Sequence, residues 1–203
     1  MDSTAPAQTP PRNTRQARSA ERRRRIFQAL HDCVIDKGYT RTTLADVAAG
    51  AGMSASHLLY YFRGKEDILE QYFENVSEKF LARIGGQGDA PVRSRIEHLA
   101  DLWFRGEAST RTEIGFMLEC FGAAVHDEVL RVTKAEFDLR CKDHLAAIFE
   151  AAPACYLGDD RDAAEVAYAM MIGLRSAVYF DQAMDLASAH RIFRDTLLKI
   201  ASL

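Results

Sequence analysis

An all-α protein is predicted, with about nine helices arranged as a small N-terminal three-helix head and a larger helical remainder. Apolar residues recur at spacings of three and four along most of the chain, which is the helical period. No stretch alternates with period two over a useful length, and clusters of Gly, Pro, Asp and Ser divide the periodic segments at helix-length intervals. The 203 residues, 48% hydrophobic and 27% charged, suit an ordinary globular protein rather than a disordered or membrane one. The longest apolar stretch, Val166 to Phe180, is too short to span a membrane and contains Arg175. Met1 to Pro11 lacks the apolar core of a secretory signal, so a cytoplasmic protein without a membrane partner is expected.

Taken in order, residues 1–17 show no apolar periodicity and are expected to form a disordered basic tail. Its Arg12, Arg15 and Arg18 run on into Arg22 to Arg25, either as a solvated face or as an arm along a nucleic-acid backbone. The first helix is predicted over about Ala20 to Lys37 from the stripe Ile26, Leu30, Cys33 and Val34, with Gly38 as its stop. A short second helix runs from about Thr43 to Gly50, with Leu44, Val47 and Ala48 inward. Ala51-Gly52-Met53 is a turn, and Ser54 is a good N-cap for a third helix, Ala55 to about Phe62. Two short helices joined by a Gly-containing turn are the helix-turn-helix pattern. After Gly64, Lys65 opens a fourth helix that Ile68, Leu69, Tyr72, Phe73, Val76 and Phe80 carry to about Ile84. Further helices are expected at about 91–106, 111–124, 127–151, 161–184 and 187–202. The domains are then the tail 1–17, a helix-turn-helix DNA-binding head 18–65, and a larger helical region 66–203.

The net charge of −3 conceals an asymmetry. Residues 1–65 hold 11 Lys and Arg against 5 Asp and Glu, a net of +6, whereas residues 66–203 hold 15 against 24, a net of −9. A basic head on an acidic body lets only the first third approach phosphate. The four cysteines Cys33, Cys120, Cys141 and Cys155 have no C-x-x-C spacing and read as small apolar fillers. Cys141 and His144 share one helical face, but no second pair completes a zinc set, so neither metal nor cofactor is expected.

On the third helix Leu58 and Phe62, four apart, should face inward, which turns Ser54, His57 and Tyr61 to another side. That side is short, polar and aromatic, and suits a major groove. The stretch from Gly38 through Thr43-Leu44-Ala45-Asp46-Val47-Ala48-Ala49-Gly50-Ala51-Gly52-Met53-Ser54, followed by Leu58-Leu59-Tyr60-Tyr61-Phe62-Arg63-Gly64-Lys65-Glu66-Asp67-Ile68-Leu69, resembles the DNA-binding head of the tetracycline-repressor (TetR) family. The resemblance covers about residues 20–70. It implies that Thr42 or Thr43, with Tyr61 and Lys65, bond phosphate, that Ala45 can reach bases, and that Ala55, Ser56 and His57 read them beside Ser54 and Tyr60. Leu59 replaces a common tyrosine and Ser56 a frequent glycine, which alters the operator read. It further implies a bacterial homodimeric regulator, most often a repressor that a small-molecule effector releases from a palindromic double-stranded DNA operator.

The helix from about 161 is apolar around most of its circumference. Val166, Met170, Leu174 and Val178, with Phe193 and Leu197 of the last helix, are therefore the candidate dimer surface, the alternative being the centre of a monomer core. The resemblance also implies a ligand site among Trp103, Phe104, Phe116, Met117, Cys120, Phe121, Phe137, His144, Tyr168 and Met171. Glu119 and Arg175, charges inside apolar runs, either pair with each other, face solvent or bind a ligand's charged group. Aromatics beside Glu119 would suit a cationic ligand. No G-x-S-x-G, H-E-x-x-H or G-x-x-x-x-G-K-[ST] occurs, so an enzyme is not expected. A ligand-dependent activator and a non-specific architectural DNA-binding protein are the alternatives to a repressor.

Overall fold

The computed structural model describes residues 12–106 and 109–203, with side chains of the first helix from Gln16 on. Of the expected tail, residues 1–11 and the side chains of Arg12 and Arg15 lie outside the described residues. Among the described residues there are nine α-helices and no strand: α1 (Arg12–Lys37), α2 (Leu44–Gly50), α3 (Ala55–Leu58), α4 (Lys65–Gly85), α5 (Val92–Phe104), α6 (Arg111–His126), α7 (Glu128–Glu150), α8 (Asp160–Phe180) and α9 (Leu186–Ile200). The first helix starts well before Ala20. Residues 12–20 contain neither Gly nor Pro and include Arg, Gln and Ala, which favour helix even without burial.

The chain divides into two compact units, Met1–Leu69 and Glu70–Leu203, with the boundary inside α4. In the first unit α1 packs on α2 and α2 on α3. Its core holds Ile26, Phe27, Leu30 and Val34 of α1, Val47 and Ala48 of α2, Leu58, Phe62, and Ile68 and Leu69 from the opening of α4. Gly38 ends α1 with φ 82°, its N–H donating to the Val34 carbonyl at 2.8 Å. The turn between α2 and α3 requires glycine twice over. Gly52 has φ 67°, and a Cβ there would lie 2.7 Å from the Arg25 guanidinium, which donates to the Ala51 carbonyl at 2.6 Å.

In the second unit α8 packs on α6, α7 and α9, and α5 on α7 and α9. Ala163, Ala164 and Ala167 are buried on α8, and side chains this small let neighbouring helices approach closely. His190 of α9 contacts Asp101 of α5 through Nε2 at 2.8 Å. Gly115 of α6 admits the Tyr179 ring, which a Cβ would meet at 2.7 Å, and Arg111 donates to the Tyr179 carbonyl at 2.7 Å. Helix α8 stops at Phe180 rather than near 184, because Asp181 turns the chain by accepting from the Ala183 N–H and Asp185 then caps α9.

Gly52→Ala should destabilise the first unit by about 1–2 kcal/mol, the cost of a left-handed non-glycine residue. A urea unfolding curve followed by circular dichroism should show the lower midpoint, and an unchanged midpoint would refute the turn geometry.

Candidate nucleic-acid interface and ligand cavity

The third helix is one α-turn, Ala55–Leu58, rather than a helix to Phe62. The chain keeps turning beyond it: Leu59 N–H donates to the Ala55 carbonyl at 3.0 Å, Tyr61 N–H to Leu58 at 2.9 Å and Phe62 N–H to Leu58 at 3.1 Å. Tyr60 and Tyr61 bond three residues back, whereas Phe62 bonds four back, which keeps it on the inward side four residues after Leu58. Both are buried, and the Phe62 ring lies 6.0 Å from that of Phe27. Ser54 caps the turn by accepting from the His57 N–H at 3.2 Å. Ser54, Ser56, His57 and Tyr60 are exposed and Ala55 is half-buried, with Tyr60 83% exposed.

Tyr61 and Lys65 are half-buried and already held. The Tyr61 hydroxyl accepts from Arg22 at 2.8 Å, and its ring stands 5.5 Å from His57. Lys65 donates to the Tyr39 carbonyl at 3.0 Å, its ammonium 4.2 Å from the centre of the Tyr39 ring. On α2, Ala45 is exposed and Thr43 is the N-cap in a capping box with Asp46. Lys37 pairs with Asp46 at 2.6 Å; this contact first, and Thr43 second, hold the Asp46 carboxyl well below its usual range. Thr42 is a correction. It is 2% exposed and its hydroxyl donates to the Gly38 carbonyl at 2.9 Å, so the phosphate-bonding threonine can be Thr43 and not Thr42.

The second unit contains a cavity with an empty volume of about 780 Å³, counting its mouth. Its walls come from five helices: Tyr72, Phe73, Val76, Ser77 and Phe80 of α4, Trp103 of α5, Glu113, Phe116, Met117, Cys120 and Phe121 of α6, Phe137 of α7, and Tyr168, Met171, Ile172 and Arg175 of α8. The Phe80 ring packs 4.2 Å from Trp103 and 6.1 Å from Phe137, and Tyr72 lies edge-on to Phe116 at 5.3 Å. The Tyr168 hydroxyl donates to Asp138, which Lys134 pairs at 2.5 Å. Burial first, and Asp138 second, push the Tyr168 phenol well above its usual range. Burial likewise pushes the Cys120 thiol up to about 12, so it faces the cavity as a neutral group.

Arg175 is 5% exposed and donates from Nη1 to the Trp103 carbonyl at 2.6 Å. That carbonyl is among the last four of α5, which have no partner within the helix, and a cation there also suits the helix dipole. Burial lowers the Arg175 pKa to about 10 while Glu113 acts to raise it, so the side chain stays cationic near neutrality.

Three of the expected ligand residues lie elsewhere. Phe104 is core, 5.4 Å from the Phe193 ring. Glu119 is exposed, off the stripe 113, 116, 117, 120 and 121 by which α6 faces the cavity. His144 is not among the lining residues and its ring lies beside Gly85. Among the described residues no group of three or more His, Cys, Asp or Glu is placed to hold a metal ion, and no helix is long and apolar enough to cross a membrane.

Residues 26–72 match the family of bacterial regulatory proteins called tetR, and residues 92–202, more than half of the chain, match the C-terminal region of BetI-type transcriptional repressors. The chain belongs to the TetR family. Both matched families consist of regulatory proteins. The HTH-type transcriptional regulator BetI 1 of Chromohalobacter salexigens is 29% identical over 108 residues, which are 52% of this chain and 54% of that protein. The match thus spans about half the length of that relative. Among solved structures, a transcriptional regulator from Saccharomonospora viridis in complex with choline superposes with TM-score 0.78 at 20% identity, covering 88% of this chain and 96% of that one. A TetR regulator from Haloarcula marismortui gives 0.77 at 18% identity over 90% and 97%. The fatty acid degradation regulator FadR of Bacillus halodurans gives 0.75 at 20% over 87% and 94%.

Within this TetR-family chain, sequence reasoning missed Arg22, which orients Tyr61, and the whole α4 wall of the cavity. The apolar pattern of α4 was visible but wider than one buried stripe needs. Glu113 was signalled by its place at the head of the 113, 116, 117, 120 spacing. The expected dimer residues divide: Val166 is exposed and Met170 and Leu174 half-exposed, whereas Val178, Phe193 and Leu197 are buried in the protomer core. This corrects the dimer surface, because those three face α8's and α9's own neighbours. The stripe left outward on α8 is Val166, Ala169, Gly173 and Phe180.

Because the Asp46 pKa is depressed in the folded head from 3.8, its contribution is fully present above about pH 4 and lost as pH falls through the folded value. Asp46→Asn should lower Tm by a constant amount between pH 5 and 8 and by a shrinking amount below about pH 4. A Tm difference that grows on acidification would contradict the Lys37–Asp46–Thr43 arrangement.

Proposed function

We propose that the protein is a cytoplasmic, homodimeric, one-component repressor that leaves a palindromic operator when a small organic effector fills the cavity of the second unit. The observation that carries this reading is the outward side of the α3 turn: Ser54, Ser56, His57 and Tyr60 are exposed while Leu58 and Phe62 are buried. Such a side presents hydroxyl, imidazole and phenol groups to base edges and phosphates. With Ala45 and Ala55 at the other reading positions, contacts to thymine methyl groups and to DNA shape carry part of the specificity. Thr43, Tyr61 and Lys65 would meet phosphate, and Arg22 sets the Tyr61 ring for that contact.

One turn of helix gives few base contacts, so two heads spanning two half-sites are needed for tight binding. Val166, Ala169, Gly173 and Phe180 supply an outward apolar stripe for the partner; Phe180 is 70% exposed. The repressor sense is supported by the BetI-type match. A small-molecule effector is supported by the cavity, whose mostly apolar walls carry a few polar groups as ligand pockets do, and by the choline bound in the Saccharomonospora viridis regulator. Helix α4 links the two events, since it carries Lys65 at its first turn and five cavity residues further along. An effector that prefers one α4 position shifts the head population away from the DNA-binding one. No catalytic role is proposed: the cavity cysteine is held as a neutral thiol and the walls are apolar.

Selection of bound sequences from random DNA should return a palindrome, and a footprint should cover a short site rather than coat the duplex. In anisotropy titrations Tyr61→Ala and Lys65→Ala should weaken binding to all sequences. Lys65→Ala should also reduce the log–log salt slope by about 1. Unchanged affinity and slope would defeat the phosphate assignment. Gly173→Arg should give a monomer by sedimentation equilibrium, because a Cβ at Gly173 meets nothing within 4 Å in its own protomer; a persisting dimer would place the interface elsewhere.

A further inference from the structure

The cavity is walled almost wholly by aromatic and aliphatic groups, yet two opposite formal charges reach it, Arg175 from α8 and Glu113 from α6. Arg175 is buried and Glu113 half-buried in the first turn of α6, where the helix dipole favours a carboxylate. A buried guanidinium is a costly way to fill space that a methionine would fill as well. Arg175 nevertheless brings a cation to the cavity wall, where an acidic group that enters the void would meet it. The planar fork of Arg suits a carboxylate in particular.

Charge balance then selects among charged ligands. Glu113 and Arg175 are opposite in formal charge, so this pair contributes no net charge to the wall. A monocation would leave one unit of positive charge in a low-dielectric chamber, and a monoanion one unit of negative charge. A molecule carrying both signs leaves the sum at zero, and its ammonium also gains from aromatic faces. Glu113 and Arg175 line the same cavity, which fits a pair of charges carried by one ligand. The Phe80 and Trp103 rings, in contact and tilted to each other, favour an apolar, aromatic body.

We propose that the effector is a small zwitterion, an amine and a carboxylate on one apolar body, its carboxylate on Arg175 and its ammonium toward Glu113. The proposal rests on the reading of this cavity as the effector site. Full-length protein is titrated calorimetrically with phenylalanine, phenethylamine and 3-phenylpropanoate, which share one body and differ in charge. Tryptophan, tryptamine and indole-3-propanoate form a larger set, and choline serves as a cation without a carboxylate. In at least one set the zwitterion should bind about tenfold or more tighter than either partner, the worth of one charge-assisted hydrogen bond. Arg175→Gln should erase the preference over the amine, and Glu113→Gln the preference over the acid. Should Arg175→Gln not fold, Glu113→Gln and Arg175→Lys carry the test, the lysine keeping the charge and part of the preference. Tightest binding of an amine, of choline or of an acid overturns the proposal, as does binding of none of the seven. A DNA titration of the same preparation separates the failures. DNA binding without probe binding overturns the zwitterion alone, and loss of DNA binding overturns the regulator reading while the calorimetry still decides the ligand class.

Discussion

Leu58 and Phe62 decide which way the α3 turn faces, and the reading of the head depends on them. Each is fully or almost fully buried, and full burial of such a side chain stabilises by about 1.5–3 kcal/mol. The Ser54 cap contributes about 1 kcal/mol. Burial therefore sets the orientation and capping only sets where the turn begins. Once two residues four apart are fixed inward, Ser56, His57 and Tyr60 have nowhere to go but out. Rigid surroundings complete the effect: Gly52 lets the chain enter α3 in the left-handed conformation, and Arg25 ties that turn to α1.

The second unit obeys a different constraint. Helices α4, α6 and α8 turn aromatic and thioether side chains toward one space and leave it unfilled, while Arg175 and Glu113 bring charge to its edge. An apolar chamber magnifies every charge within it, so few polar groups suffice to sort ligands. Helix α4 both opens in the head unit and walls the chamber, so the proposed effect of ligand on head needs no further element in the chain between them.

Much of this was legible in the sequence, for physical reasons that vary by element. Helices α4 to α9 follow from apolar period and from capping residues such as Thr110, Asp127 and Asp185, which act locally. The length of α3 was not legible, since the three-residue bonds at Tyr60 and Tyr61 interrupt the α pattern without moving Phe62 from the inward side, so the apolar spacing reads the same either way. Thr42 and Thr43 look alike in sequence; only the fold shows that one hydroxyl returns to Gly38 and the other caps α2. On α6 the acid inside the apolar run, Glu119, drew attention, yet the helical phase turns Glu113 to the cavity instead. Val178, Phe193 and Leu197 read as interface because an all-round apolar helix looks the same whether its second face meets a partner or its own core. Arg175 was recognised as an anomaly, but its carbonyl partner at Trp103 lies 72 positions away and has no sequence signal.

Dimethyl sulfate methylation of bound DNA tests the central claim most directly, because it marks guanine N7 in the major groove and adenine N3 in the minor groove. An exposed α3 side seated in two half-sites predicts protection of guanine N7 in two clusters about 10 base pairs apart, or a multiple of that. Protection confined to adenine N3, or spread evenly along the duplex, would contradict insertion of the α3 turn into the major groove.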